Sequence, residues 1–178
     1  MAGSKAVQRP AARHRRGDVV ARAIAVLDER GLEDWSMRRL AADLGVQPSA
    51  LYHHFSGKDA LLAAVADELL ARGRRPTEVV TWESELRLVC VELRDAMRSH
   101  RDAAELIASA HARGVGAQEP GRRMEAALRR AGAGPDLARV GASTLLHFAF
   151  AHVGDDAADF SLGLGIVLDG LAARIDVR

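Results

Sequence analysis

Apolar residues recur along this chain three and four positions apart, the period of a helix that buries one face. Val20, Ala23, Ile24 and Leu27 line one side of a segment from Gly17 to Arg30, and Gly31 stands where a left-handed C-terminal cap belongs. Ser36 is placed to cap a second helix, Met37–Leu44, in which Leu40 and Leu44 lie one turn apart. Gly45 ends it. Pro48 suits the first position of a short third helix reaching Phe55, because that position makes no intrahelical N–H bond. After the break at Ser56-Gly57, a fourth helix over Lys58–Ala71 turns Leu62, Val65 and Leu69 inward.

The stretch "RGRRPTEV" interrupts this pattern and marks a domain boundary. Beyond it, Leu86, Val89, Cys90, Leu93 and Met97 keep core spacing along a long helix, Trp82–Ser99. Asp102–Ala112 and Arg122–Ala131 predict shorter helices, separated by "RGVGAQEPG". The last two segments, Asp136–Val153 and Asp159–Ile175, are apolar around most of their circumference and dotted with glycine. A helix of that kind is deeply buried or has partners on both sides. No alternating segments joined by hairpin turns occur, so the fold class is all-α. Three organisational units result: a basic, disordered arm over residues 1–16, a three-helix helix-turn-helix unit over 17–73 with the fourth helix as connector, and a helical body over 74–178.

Composition narrows the setting. The 178 residues are 48% hydrophobic and 28% charged, as in a globular protein able to bury a core. A single cysteine excludes an internal disulfide framework and points to a reducing compartment. The basic N-terminus is followed by no apolar stretch, and the longest apolar run, "LLHFAFAHV", is about half the length that crosses a bilayer. The expectation is a cytoplasmic protein without a membrane partner. Charge is divided unevenly: residues 1–75 carry 13 Lys/Arg against 9 Asp/Glu, and residues 76–178 carry 12 against 15. The first sixteen residues hold Lys5, Arg9, Arg13, Arg15 and Arg16 and no acid, a footprint of polyanion contact at one end.

Two helices joined by a tight turn after a supporting first helix make a helix-turn-helix. At about 100° per residue, Leu51, Phe55 and Pro48 fall on an inward face while Ser49 and His53 point the other way. Hydroxyl and imidazole groups beside Arg38, Arg39 and Lys58 suit a major groove, where base edges are read and cations hold phosphates. Arg38, Gln47, Ser49 and His53 are the candidate base readers, with Pro48 opening the helix at the groove. Arg38 is the best guanine reader, since its fork bonds two acceptors at once. A metal site does not fit: His53 and His54 diverge by about 100° around a helix, and no cysteine lies near. There is no H-E-x-x-H, G-x-S-x-G, P-loop or Rossmann fingerprint, so no catalytic residue and no cofactor is assigned.

The run "SMRRLAADLGVQPSALYHHFSGKDALLAAVADELL" resembles the N-terminal DNA-binding domain of the TetR (tetracycline repressor) family across Asp18–Leu70. The matching residues are Arg38, Leu40 and Ala41, then Leu44-Gly45-Val46, Leu51-Tyr52 with His54-Phe55, and Lys58 before Leu61-Leu62. That resemblance implies phosphate contacts for Tyr52, His54 and Lys58. Trp82, Arg101-Asp102, His147-Phe148, Phe160 with Gly163-Leu164, and Gly170 are similar to the tetracycline-repressor branch itself. Ile107 stands where that branch carries a metal-binding histidine, which argues against a tetracycline–magnesium ligand.

The resemblance further implies a repressor that binds a near-palindromic double-stranded operator and is released by a small-molecule effector. It implies a homodimer through the last two helices, about 136–175, where Gly141, Gly163, Gly165 and Gly170 allow close approach. The effector pocket is expected among Trp82, Leu86, Cys90, Met97 and Ile107 on the first helices of the body. Farther along, His111, Met124, His147, Phe148 and Phe150 complete the candidate lining. His152 with Asp155 or Asp156 offers a further polar pair, and the fourth helix would carry the signal. A regulator of the same kind without a small-molecule effector, or one acting as activator, fits the same residues.

Overall fold

Nine helices and no strand make up the computed structural model, which describes residues 14–175. Several helices begin where local chemistry satisfies their free N–H groups. Helix α1 (Arg16–Arg30) opens with the Asp18 carboxylate accepting the Arg15 backbone N–H at 2.8 Å. Ser36 caps α2 (Met37–Asp43), accepting from the Arg39 N–H at 3.3 Å. Pro48 opens α3 (Pro48–Tyr52), and α4 (Lys58–Gly73) follows Gly57. Thr81 and Ser84 cap one another at the head of α5 (Trp82–Arg98). Helices α6 (Ala103–Ala112), α7 (Glu119–Arg130), α8 (Pro135–Ala151) and α9 (Ala157–Ile175) complete the body.

Three boundaries and faces differ from the sequence pattern, each for a local reason. Helix α3 stops at Tyr52 instead of reaching Phe55, because the N–H groups of His54 and Phe55 both turn back to the Leu51 carbonyl, each at 3.0 Å. Helix α7 starts at Glu119, three residues before Arg122, since Pro120 is tolerated in a first turn. On α4 Leu61 is fully buried, while its neighbour Leu62 is half-buried. The inward stripe read from Leu62, Val65 and Leu69 is therefore wider than one face: α4 packs against α1 on one side and against α5 and α6 on the other.

That two-sided helix makes the core continuous. Val19, Leu27 and Trp35 of the N-terminal unit, Leu61, Val65 and Leu69 of α4, and Leu86, Ile107, Leu128 and Leu145 of the body belong to one buried cluster. Trp35 is 2% exposed and still donates its indole N–H to the Ala23 carbonyl at 3.2 Å, so its burial strands no polar group. Two carboxylates tie the halves together at the start of α6. Asp102 accepts the Leu32 N–H at 2.8 Å, and Asp28 accepts the Arg101 N–H at 3.1 Å while lying 2.7 Å from His100 Nδ1. On the far side of α4, Asp67 accepts the Ala117 N–H at 2.7 Å and so fixes the α6–α7 turn.

Candidate nucleic-acid interface

The turn between α2 and α3 depends on Gly45, whose φ of +66° lies in the left-handed region. Its N–H meets the Ala42 carbonyl at 3.1 Å, and Val46 returns to Ala41 at 3.0 Å, closing the turn before α3. Leu51 (1% exposed) and Phe55 (3%) then anchor the short helix from beneath. The Arg16 guanidinium sits 4.7 Å from the centre of the Phe55 ring and closes that anchor from the α1 side. His14 Nε2 lies 3.0 Å from the Leu44 carbonyl, placing the start of the described chain beside the turn.

With its underside committed, α3 offers the opposite face to solvent. Gln47, Ser49, His53 and His54 are exposed, and Tyr52 stands 55% exposed; Pro48, which the wheel places inward, is exposed too, because it opens the helix instead of lying beneath it. An exposed tyrosine beside two exposed imidazoles is unusual cladding for a helix whose only structural demand is two anchors. His53 and His54 occupy the turn after α3, which is why both point outward although they are adjacent. Arg38 is exposed on α2. Arg39 is spoken for, its guanidinium donating to the Asp34 carbonyl at 2.8 Å and lying 3.4 Å from the Asp34 carboxylate. Lys58 keeps its side chain over the Trp35 ring and donates to the Trp35 carbonyl at 3.0 Å, so its charge is held at the base of α4 beside the start of α2.

A cleft of 1110 Å³ runs between the start of α1 and α3, with His14, Arg15, Gln47, Ala50 and His53 among its walls. Arg15 and Arg16 of the basic arm stand at its edge or beneath it, whereas Lys5, Arg9 and Arg13 lie outside the described residues. The surface as a whole presents hydrogen-bonding groups on a narrow protruding helix, flanked by cations. Such a surface can enter a major groove with phosphates on either side. Among the described residues, no three of His, Cys, Asp and Glu gather closely enough to hold a metal ion.

The candidate pocket residues of the body are dispersed by the packing. Leu86, Cys90, Ile107 and Met124 are fully buried and Met97 nearly so, all within the continuous core. Burial pushes the Cys90 thiol up to about 12. Trp82, His111, Phe148 and Phe150 are half-buried, and His147 is exposed, with Nδ1 3.4 Å from the Ser143 hydroxyl. His111 is drawn to Phe150, ring centres 5.4 Å apart, and its Nδ1 lies 3.0 Å from the Ala117 carbonyl. His152 and Asp155 do meet, at 2.7 Å, in the turn between α8 and α9.

Sequence reasoning passed over two charged residues on α5 that the fold buries. Glu92 (4% exposed) accepts the Arg75 N–H at 2.7 Å and an Arg123 guanidinium N–H at 2.6 Å, clamping the α4–α5 connection to α7. Arg94 (7% exposed) lies under the α8–α9 turn. Its position was legible, four residues after Cys90 and three before Met97, but a helical wheel does not say whether a long side chain turns in or snorkels out.

Residues 19–65 match the family model of bacterial regulatory proteins, tetR family. The tetracycline repressor protein class D of Escherichia coli is 37% identical over 98 residues, which are 53% of this chain and 45% of that protein. The chain thus spans about half the length of the curated relatives it matches. Among solved structures, Mycobacterium smegmatis BioQ superposes with a TM-score of 0.82 at 35% identity, over 90% of this chain and 98% of that one. BioQ with its double-stranded DNA operator gives 0.79 at 37%, over 90% and 99%. The Streptomyces coelicolor TetR family protein ActR in complex with actinorhodin gives 0.80 at 25%, over 93% and 99%.

Proposed function

This chain belongs to the tetR family of bacterial regulatory proteins, and from that premise we propose that it is a homodimeric transcriptional repressor, seated on a near-palindromic DNA operator and released by a small molecule. The observation that carries the reading is α3: Leu51 and Phe55 buried, and Gln47, Ser49, Tyr52 and His53 left facing solvent. BioQ, solved with its operator, supports the DNA half, and ActR, solved with actinorhodin, supports the effector half.

Arg38, Gln47, Ser49 and His53 read base edges, with Pro48 leading α3 into the groove, while Tyr52, His54 and Lys58 hold phosphates. One short reading helix touches few base pairs, so two copies work together on adjacent helical turns, about 34–36 Å apart. The apolar side chains Val140 (50% exposed), Leu162 (68%) and Ile166 (67%) on α8 and α9 support an isologous interface there. The DNA-binding unit takes residues 17–73 and the effector and dimerisation unit 74–178, in the cytoplasm. Helix α4 couples them, being packed on α1 and held to the α6–α7 turn through Asp67. An effector acts only if it binds the DNA-incompetent arrangement more tightly, and the operator then weakens the effector equally.

The solid packing of Leu86, Cys90, Ile107 and Met124 favours a second reading, a regulator of the same family that needs no effector in that part of the body. Selection of duplexes from a random pool tests the first reading. The enriched duplex should hold two related half-sites one helical turn apart, and Ser49→Ala with His53→Ala should lose it. Failure of the intact protein to retard any duplex rejects the reading.

A further inference from the structure

Among the described residues of the body, Arg94 is the one buried charge that its own fold leaves short. It is 7% exposed, its Nε–H is buried with no hydrogen-bond partner, and no carboxylate among the described residues pairs with it. Its Nη2 donates to the backbone carbonyl of Asp155, while the Asp155 carboxylate is turned away to His152 Nδ1, 2.7 Å distant. The guanidinium lies 4.6 Å from the centre of the Phe160 ring, and Phe160 in turn lies 5.2 Å from Phe148. Phe148 reaches that position because Gly163 has no side chain; a Cβ there would come within 2.8 Å of its ring.

An unpaired guanidinium is an expensive way to fill a core. A methionine of similar length would pack at least as well, since replacing buried ions by apolar groups is often neutral or stabilising. What an arginine adds is a planar fork that grips a carboxylate with two parallel bonds. Here one arm of the fork is free and the other rests on a backbone carbonyl that a carboxylate can displace. Aromatic rings line the same place, which suits a flat ligand.

We propose that Arg94, with Phe160 and Phe148, forms the effector subsite of this protein and takes a carboxylate-bearing aromatic compound. The proposal rests on the effector reading above and deepens it by naming the ligand class. The carboxylate bridges Nε and Nη2, the Asp155 carbonyl gives way, and the ring stacks against Phe148. Entry lifts the α8–α9 turn, which is the start of the helix that carries Leu162 and Ile166. The subsite is thereby connected to the spacing of the two reading surfaces.

Sodium benzoate and its neutral isostere benzamide, titrated calorimetrically into the full chain, test this directly. Benzoate should bind on the order of tenfold more tightly than benzamide, the worth of one charge-assisted hydrogen bond. Arg94→Met should abolish that preference while keeping its helical circular dichroism. Equal affinities, no benzoate binding, or a preference that survives in Arg94→Met would each overturn the proposal. If the variant does not fold, the comparison of the two ligands on the unaltered protein decides alone. Retention of the selected duplex, followed in parallel, separates the two readings: a protein that holds DNA and ignores benzoate loses only the subsite.

Discussion

Gly31 shows how much a single residue can be asked to do. It ends α1 with φ +79° and ψ 174°, a combination open to glycine and costly for any other residue. A Cβ there would also meet the Asp102 carboxylate, which holds the Leu32 N–H, at 2.7 Å and the Arg101 guanidinium at 3.0 Å. Gly31→Ala should therefore cost about 2 kcal/mol, read as a lower urea midpoint, with most of it from the backbone. An unchanged midpoint would mean that the junction relaxes freely. Cys90 is the opposite case, a residue defined by what it is kept from. Its thiol is pushed up to about 12 from an ordinary 9.0 by burial, so the folded state retains its proton where the unfolded state has lost it. This contribution is fully present below pH 9 and declines as pH rises from there towards 12, by about 1.4 kcal/mol per pH unit. Native protein at pH 8 should resist iodoacetamide, and denatured protein should react at once. Rapid native labelling would contradict the burial.

At the scale of the element, α3 has a buried face and an exposed one, and the proposed reading assigns stability to the first and recognition to the second. Leu51→Ala removes an anchor that is 1% exposed and should cost about 2–5 kcal/mol, enough to loosen the whole N-terminal unit. His53→Ala should leave the melting temperature within a degree or two and still weaken retention of the selected duplex. Equal thermal effects from both would mean that His53 is structural. The two anchors, the Ser36 cap and the Pro48 start were legible in the sequence because each is set by neighbours within one helical turn. The end of α3 was not. It depends on two N–H groups competing for the Leu51 carbonyl, which periodicity does not see. Nor was the inward turn of Glu92 and Arg94 legible, because Arg123 and Asp155, their partners, are distant in sequence and meet them only through packing. The pocket is the least legible of all. Leu86, Cys90, Ile107 and Met124 share a helical spacing with any cofactor box, and whether such a stripe closes on itself or around a ligand is decided by neighbouring helices.

For the whole molecule, the decisive surface is the one left apolar. Leu162 and Ile166 are exposed one turn apart on α9, and Val140 is exposed on α8. Leu162→Glu with Ile166→Glu should leave the helix content intact, convert the protein to single chains in sedimentation, and weaken duplex binding by orders of magnitude, since two half-sites would no longer be joined. Dimers that persist would move the interface elsewhere. A last consequence lies in α4, whose leucines are shared between the N-terminal unit and the body. Anyone grafting a new reading head onto this scaffold by cutting at residue 73 would import a foreign lining for α5 and α6. The graft would have to be drawn lengthwise, taking α2, α3 and the α1 side of α4 from one parent while preserving the side that α5 and α6 lean on.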